Sequence, residues 1–490
     1  MAGASFAAML PRVQDPNLEY TKYLNFLIAL RERRLRLPVV SSMPLDLTVD
    51  LSMACQLRCP YCPTGTREID RPAVHLSADM NQRILSTLGD TAFIIWYFAA
   101  GEPLLNPRYA ELIAEASKRE LFSVISTNLS FPMSDVMIDA ILHSGLGMMC
   151  VALDGATPET YVQYRRGGKF ELVVDNLQRL IRRKRELGLE RPIFEWRFLI
   201  FKHNQHEVPG VRQLAEEWGL DSLDFFYGMA PADATPDMVQ ATSDQIAATG
   251  GWGPAVNTGA QRTDTTLRRW LGAEILNAPP YCVTDKRLLN HKCDFHYYGS
   301  IIHPDGQISP CSATSFQADD FGRMPEAGQF SQVWNNAMFQ KARRMFSEGE
   351  PADIICARCP MPSVMDFNFQ KCIDGILANA PDWVLAVLAA DPHSFFPEVD
   401  LATLPTAARL ARARRQDFGH FPAIAARLTS DAAGDTPRQT QIRQISHLLG
   451  EAPQAMSPPP VSLLLRARRG LGTHLLRPIL HALQAVVPRA

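Results

Sequence analysis

Between Leu45 and Tyr227 the apolar residues switch repeatedly from a two-residue period to a three-to-four-residue period, and this constrains the fold more than any other feature of the chain. Leu45, Leu47, Val49 and Leu51 alternate as a strand does. Ala92–Ala99, Leu121–Thr127, Met148–Leu153, Ile193–Phe201 and Leu223–Tyr227 are the further strand candidates. Helical spacing fills the intervals Pro107–Glu120, Ser134–His143, Phe170–Leu187 and His206–Trp218. Six strands separated by helices imply parallel pairing through right-handed crossovers. The expected fold class is α/β, a partial (β/α)6 TIM-like barrel with its chemistry at the C-terminal ends of the strands.

The remaining parts of the 490-residue chain are read around that core. Residues 1–44 form a helical lead-in, 45–275 the barrel, 276–375 a small auxiliary unit and 376–490 an Ala- and Arg-rich helical C-terminal extension. Gly228 to Pro280, rich in Ala, Thr, Gly and Pro, reads as a linker or insertion. From Leu401 onward 12 Arg face four acids, a net of +8 that leaves −10 for the first 400 residues. This segment, ending in the amphipathic stretch Leu463–Val487, is read as a small helical domain with solvated arginines; a basic helix touching a membrane surface or partner is the alternative.

The net charge of −2 provides no chain-wide field to hold nucleic acid. No uninterrupted span of about 20 apolar residues announces a transmembrane helix. Met1–Pro11 lacks the basic-then-apolar order of a secretory signal, so the expected location is cytoplasmic. In that reducing compartment ten clustered cysteines are read as metal ligands or catalytic thiols rather than disulfides.

Directly after the first strand comes Cys55-Gln-Leu-Arg-Cys59-Pro-Tyr-Cys62. Three thiolates so close together can ligate three irons of a four-iron cluster and leave the fourth iron open. Zinc prefers four protein ligands in a structural site, and no further Cys or His lies nearby in sequence.

On these residues the chain resembles the radical S-adenosylmethionine superfamily, whose signature is Cys-X3-Cys-X2-Cys with an aromatic residue, here Tyr61, before the last Cys. Gly101-Glu102-Pro103 is similar to the family's Gly-Gly-Glu-Pro segment, which meets the methionine amino group; Ala100 stands where the first Gly is usual. Ser126, Thr127 and Asn128 after the third strand, and Asp154-Gly155 after the fourth, match positions that approach the cofactor's ribose and carboxylate. Arg166-Gly167 looks like the family's Arg-Gly segment, with Arg166 as a fork for the carboxylate. The resemblance implies a core 4Fe-4S cluster, S-adenosylmethionine and a flavodoxin- or ferredoxin-type electron donor. Reductive cleavage of the cofactor then yields a 5′-deoxyadenosyl radical that removes hydrogen from unactivated C–H bonds.

Downstream, Cys293-X12-Gly306-X4-Cys311 resembles the opening of the SPASM auxiliary domain, and Cys356-X2-Cys359 part of its close. Four ligands fit one auxiliary 4Fe-4S cluster; a four-cysteine zinc site is the alternative. Three cysteines remain. Cys150, inside the fourth strand, is expected to be a core thiol, and Cys282 a spare ligand or a bystander. Cys372, 13 residues beyond Cys359, is placed to give a hydrogen atom to a carbon radical.

One core cluster, one auxiliary cluster and one spare thiol resemble the radical epimerases that install D-residues in proteusin-type ribosomal peptides. This implies a precursor peptide as substrate and Cys372 as the catalytic donor. The alternatives are oxidation or dehydration of a sugar or aminocyclitol, and thioether or C–C crosslinking of a peptide. No separate leader-recognition domain can be placed before the core, although the C-terminal extension could supply such a dock. An electron-relay or scaffold protein would leave the cofactor motif set unexplained.

Overall fold

The computed structural model describes residues 10–227, 293–311, 314, 316–326, 329–349, 352–358, 372–373, 375–396 and 421–451. The linker from Gly228 to Pro280, the stretch Leu463–Val487, Cys282 and Cys359 lie outside them.

The N-terminal helix α1 (Pro16–Arg34) starts at Asp15, whose carboxylate accepts the Asn17 and Leu18 amides. All six expected strands follow: β1 (Asp46–Val49), β2 (Ile94–Trp96), β3 (Phe122–Thr127), β4 (Met148–Ala152), β5 (Ile193–Ile200) and β6 (Ser222–Tyr227). They are joined by α2 (Ala78–Leu88), α3 (Tyr109–Ser117), α4 (Asp135–His143), α5 (Phe170–Glu186) and α6 (Val208–Trp218). Of these only α2 escapes the sequence reading. It begins at Ser77, whose hydroxyl caps the Met80 amide, and buries Ile84, Leu85 and Leu88 along one side.

The sheet has two unlike faces because strand side chains alternate. Leu47, Val49, Ile95, Ile125 and Val151 pack against the crossover helices through Leu85, Ile113, Ile138 and Leu177. Trp196 of β5 stacks on Trp218 at the end of α6, with ring centroids 5.0 Å apart. On the other, interior face lie Ile94, Val124, Met148 and Cys150, covered by Tyr23, Phe26 and Leu27 of α1 and by Cys372 and Val384 from the C-terminal part. Burial of each large apolar side chain stabilises the fold by about 1.5–3 kcal/mol.

The sheet continues past β1. A one-turn helix α7 (Phe295–Tyr298) leads into β7 (Gly299–Ile302), followed by β8 (Gln307–Ser309) and β9 (Gly322–Arg323). β7 lies parallel to β1, with Asp46 opposite Gly299 and Val49 opposite Ile302. β8 and β9 add antiparallel, giving one nine-stranded sheet in the order β6-β5-β4-β3-β2-β1-β7-β8-β9 that does not close on itself. The expected α/β partial barrel is therefore present, with the auxiliary hairpin built onto its first strand.

Helix α8 (Ala337–Glu348) follows, then α9 (Asp382–Ala390), α10 (Pro422–Asp431) and α11 (Pro437–Glu451). The described C-terminal helices return to α1. Tyr20 donates to Asp431 at 2.8 Å, and Arg31 donates from Nε to Gln441 at 3.1 Å. Among the described residues no helix is long and apolar enough to cross a membrane.

Candidate active site at the strand ends

The cysteine loop starts six residues beyond β1 and is anchored at several points. Arg58 N–H donates to the Arg166 carbonyl at 2.8 Å, and Cys62 N–H donates to the Cys59 carbonyl at 3.2 Å. Gly65 lies so close beneath the loop that a Cβ there would stand 2.6 Å from the Cys59 oxygen. Cys59 is buried beside Leu57, Tyr164 and Phe201, while Cys55, Tyr61 and Cys62 lie partly buried against them. Tyr61 tilts toward Tyr164 and Phe201 with centroid distances of 6.2 and 6.0 Å.

Burial pushes the Cys55 thiol up to about 11, with the charges of Glu102, Cys59 and Cys62 adding to the shift. Burial also raises Cys59, against the opposing charge of Arg165. Among the described residues no three His, Cys, Asp or Glu side chains converge at metal-ligand distances. The donor set still suits a four-iron cluster: three thiols on one tightly seated loop, each within electrostatic reach of another, which would release their protons to solvent on binding metal.

The loop after β2 is held by Asp50 at the end of β1. Its Oδ1 accepts the Ala99 and Ala100 amides, both at 2.6 Å. Gly101 follows with φ 71°, and a Cβ there would run into the Ser52 carbonyl oxygen at 1.9 Å, so this position requires glycine. Glu102 is buried. Its carboxylate accepts from the Thr127 hydroxyl at 2.7 Å, the Asn128 amide at 2.7 Å and the Leu104 amide at 3.1 Å. Desolvation pushes its pKa up to about 7, against these hydrogen bonds. A carboxylate has about four acceptor positions, so one remains for a further donor such as an ammonium group. Pro103 opens the 3-10 turn that follows.

From β3, Asn128 reaches the cysteine loop. Its Nδ2 is 3.8 Å from Cys55 Sγ, and its Oδ1 accepts from Gln56 at 2.8 Å. Ser126 stands opposite Cys150 in the β3–β4 register. After β4, Asp154 is fully buried, and its Oδ1 accepts the Leu199 amide at 2.7 Å. Its other oxygen takes Arg165 Nε at 2.5 Å, and Arg165 NH1 lies 3.9 Å from Cys59 Sγ. Arg165 therefore brings a guanidinium to the site. Arg166 is exposed and joins it through its backbone oxygen.

A buried polar chain ties this end of the barrel to the auxiliary hairpin. Asp50 Oδ2 meets His303 Nδ1 at 2.9 Å, His303 Nε2 meets the Ser309 hydroxyl at 2.8 Å, and Ser309 donates to Asp320 at 2.8 Å. Arg71 completes it with an ion pair to Asp320. Nothing in the sequence pairs Asp50 with His303. Of the auxiliary cysteines, Cys293 and Cys311 are buried in one apolar cluster against which Cys356 packs. Such a grouping of thiols suits cluster ligation.

The interior face below carries charge as well. Trp96 Nε1 donates to Asp46 at 2.9 Å, and burial pushes the Asp46 carboxyl up to about 7. Cys150 is the expected core thiol, with Arg197 NH2 3.3 Å from its sulfur.

Residues 49–189 match the family profile of the radical SAM superfamily. The chain carries a radical SAM domain. Residues 293–360 match SPASM, an iron-sulfur cluster-binding domain. The radical SAM and SPASM domains imply a core and an auxiliary 4Fe-4S cluster, with S-adenosylmethionine as cofactor. The "PqqA peptide cyclase" of Rhodopseudomonas palustris is 24% identical over 339 residues, spanning 67% of this chain and 82% of the relative. The "Fe-coproporphyrin III synthase" of Methanosarcina barkeri is 24% identical over 378 residues, 72% of this chain and 88% of its own. Two other PqqA peptide cyclases match over 51% and 45% of their own lengths. The crystal structure of Streptococcus suis SuiB bound to precursor peptide SuiA aligns over 65% of this chain and 70% of its own, with 14% identity and a TM-score of 0.46.

Proposed function

We propose that this radical SAM protein acts on a ribosomally made precursor peptide, inverting chosen residues from L to D, with Cys372 returning hydrogen to Cα. The observation that carries the reading is the setting of Cys372. The thiol is 2% exposed and belongs to the apolar cluster that covers the interior face of β2, β3 and β4. Burial, with the charge of Asp46 added, pushes its pKa well above that of a free thiol. The peptide cyclase relatives support a peptide as the substrate class.

With its cofactors bound, the core supplies a carbon radical able to remove hydrogen from Cα. The residues of this chain fix where that happens. Asp154 and Arg165 clamp the cysteine loop from one side, while Glu102 and Asn128 brace it from the other. Below them the aromatic rings of Trp96 and Phe98, partly buried and with centroids 6.0 Å apart, pack against the apolar cluster of the interior face. Electrons for the core, and the electron that with a solvent proton restores the Cys372 thiol after it has given its hydrogen atom, come in this reading from a flavodoxin- or ferredoxin-type protein.

Peptide crosslinking is the second reading, favoured by the cyclase name that several relatives carry. Mass spectrometry separates the two. Epimerisation leaves the peptide mass unchanged in H2O and places one deuterium at Cα in D2O, whereas a crosslink removes two hydrogens in either solvent. Cys372→Ala is expected to abolish D-residues while cofactor cleavage and iron content persist. Epimerisation at the parent rate in that variant would sink the donor role.

A further inference from the structure

His296 is fully buried in α7, the single turn that feeds β7. Three phenylalanines fix its imidazole. Phe321 and Phe346 stack on it at 6.3 and 6.0 Å, and Phe339 meets it edge-on at 6.2 Å. Its backbone oxygen accepts from Arg343 Nε at 3.0 Å, so the main chain is held as well as the ring. In this apolar box Nε2 lies 3.5 Å from Cys356 Sγ, while Nδ1 is buried with no hydrogen-bond partner among the described residues. The ring thus spends one nitrogen on a sulfur and leaves the other empty, an arrangement that ordinary core packing does not call for.

A cysteine bound to iron is a thiolate with no proton to give, so in the loaded protein Nε2 must be the donor of this contact. Hydrogen bonds to ligand sulfurs are among the features that set the reduction potential of an iron-sulfur cluster. A donor stabilises the reduced, more negative state more than the oxidised one. We propose that His296 is a positioning residue for the auxiliary cluster: its Nε2–H holds the Cys356 thiolate and raises that cluster's reduction potential. The inference rests on Cys356 as an auxiliary ligand and is independent of the proposed epimerisation. Because α7 runs directly into β7, the same contact fixes Cys356 relative to β1 and the cysteine loop that follows it.

The test uses the full chain with Cys55, Cys59 and Cys62 replaced by Ala, so that only the auxiliary cluster can be loaded. In that background His296→Phe keeps a ring in the box without a donor, and His296→Gln keeps a donor. Iron content equal to the parent in both, a lower midpoint potential by EPR-monitored titration in His296→Phe, and a potential restored toward the parent in His296→Gln are expected. A potential unchanged in a fully loaded His296→Phe protein would overturn the proposal. Loss of auxiliary iron from His296→Gln would also overturn it, making His296 a ligand or a structural prop. Cys356→Ala in the same background should lose the auxiliary iron. Full retention there would overturn the ligand assignment on which the inference rests.

Discussion

The core cysteines occupy eight consecutive residues of one loop, whereas the auxiliary candidates run from Cys293 to Cys359 and reach the sheet through β7, a strand paired to β1. The first group is set by local chain geometry and needs the rest of the fold only as a seat. The second depends on contacts between residues far apart in sequence: His303 with Asp50, His296 with Cys356, and Arg71 with Asp320. Local ligand sets make a site easy to recognise; distributed ones make it dependent on the assembled protein.

This contrast can be broken most severely at the core. Cys59→Ala removes one of the three proposed ligands, which have no substitute nearby, so loss of the core cluster and of all cofactor cleavage is expected, with auxiliary iron retained. Iron loss from both sites, measured by elemental analysis, would show that the two groups are not held separately. Next in size is the arginine pair. Arg165→Ala should lower the rate of cofactor cleavage about tenfold or more, in line with loss of a buried charge-assisted contact, while Arg166→Ala stays within about twofold. The reverse order would return the role to Arg166.

His303→Ala leaves Asp50 and Ser309 buried with a partner missing. It should cost about 2–4 kcal/mol in denaturant unfolding and raise the KM for S-adenosylmethionine, because Asp50 also holds the loop that precedes Glu102. Unchanged KM would confine the network to the auxiliary side. A pH-dependent effect of similar size concerns Asp46. Its carboxyl is raised to about 7 from 3.8, so its protonated form favours the folded state. The stability this provides is complete below about pH 4 and is lost as pH rises through 7. Asp46→Asn should therefore gain on the parent between about pH 5 and pH 8, by up to a few kcal/mol. A difference independent of pH would indicate a carboxylate charged in both states.

Much of this was readable in the residues themselves. The six strands follow from alternation because each must bury one or both faces, and the helices between them follow from spacing and caps such as Ser134. The core loop is legible because its three cysteines are neighbours. Arg165 and Arg166 are not told apart by sequence, since both sit in Tyr164-Arg-Arg-Gly167, where the chain leaves a helix and turns through Gly167 at φ 83°. Only the direction of that turn decides which guanidinium faces Asp154. The Asp50–His303 contact spans 253 positions and follows no period, and His296 shows no signal beyond its place three residues after Cys293. Cys372 was identifiable as a spare thiol, but its carboxylate neighbour Asp46 was not, because it lies on a strand at the other end of the chain.

The parallel pairing of β7 with β1 also has a consequence for synthesis. When β1 leaves the ribosome, one of its two sheet neighbours is still about 250 residues away, on the order of 12–50 s of translation at typical rates. Throughout that interval the strand that leads into the cysteine loop has an open edge, the kind of edge that recruits foreign strands. The reactive end of this protein is thus finished late, and a chain released before residue 299 would display its cysteine loop beside an unpaired strand. Such an intermediate needs a holding chaperone more than the mature protein does.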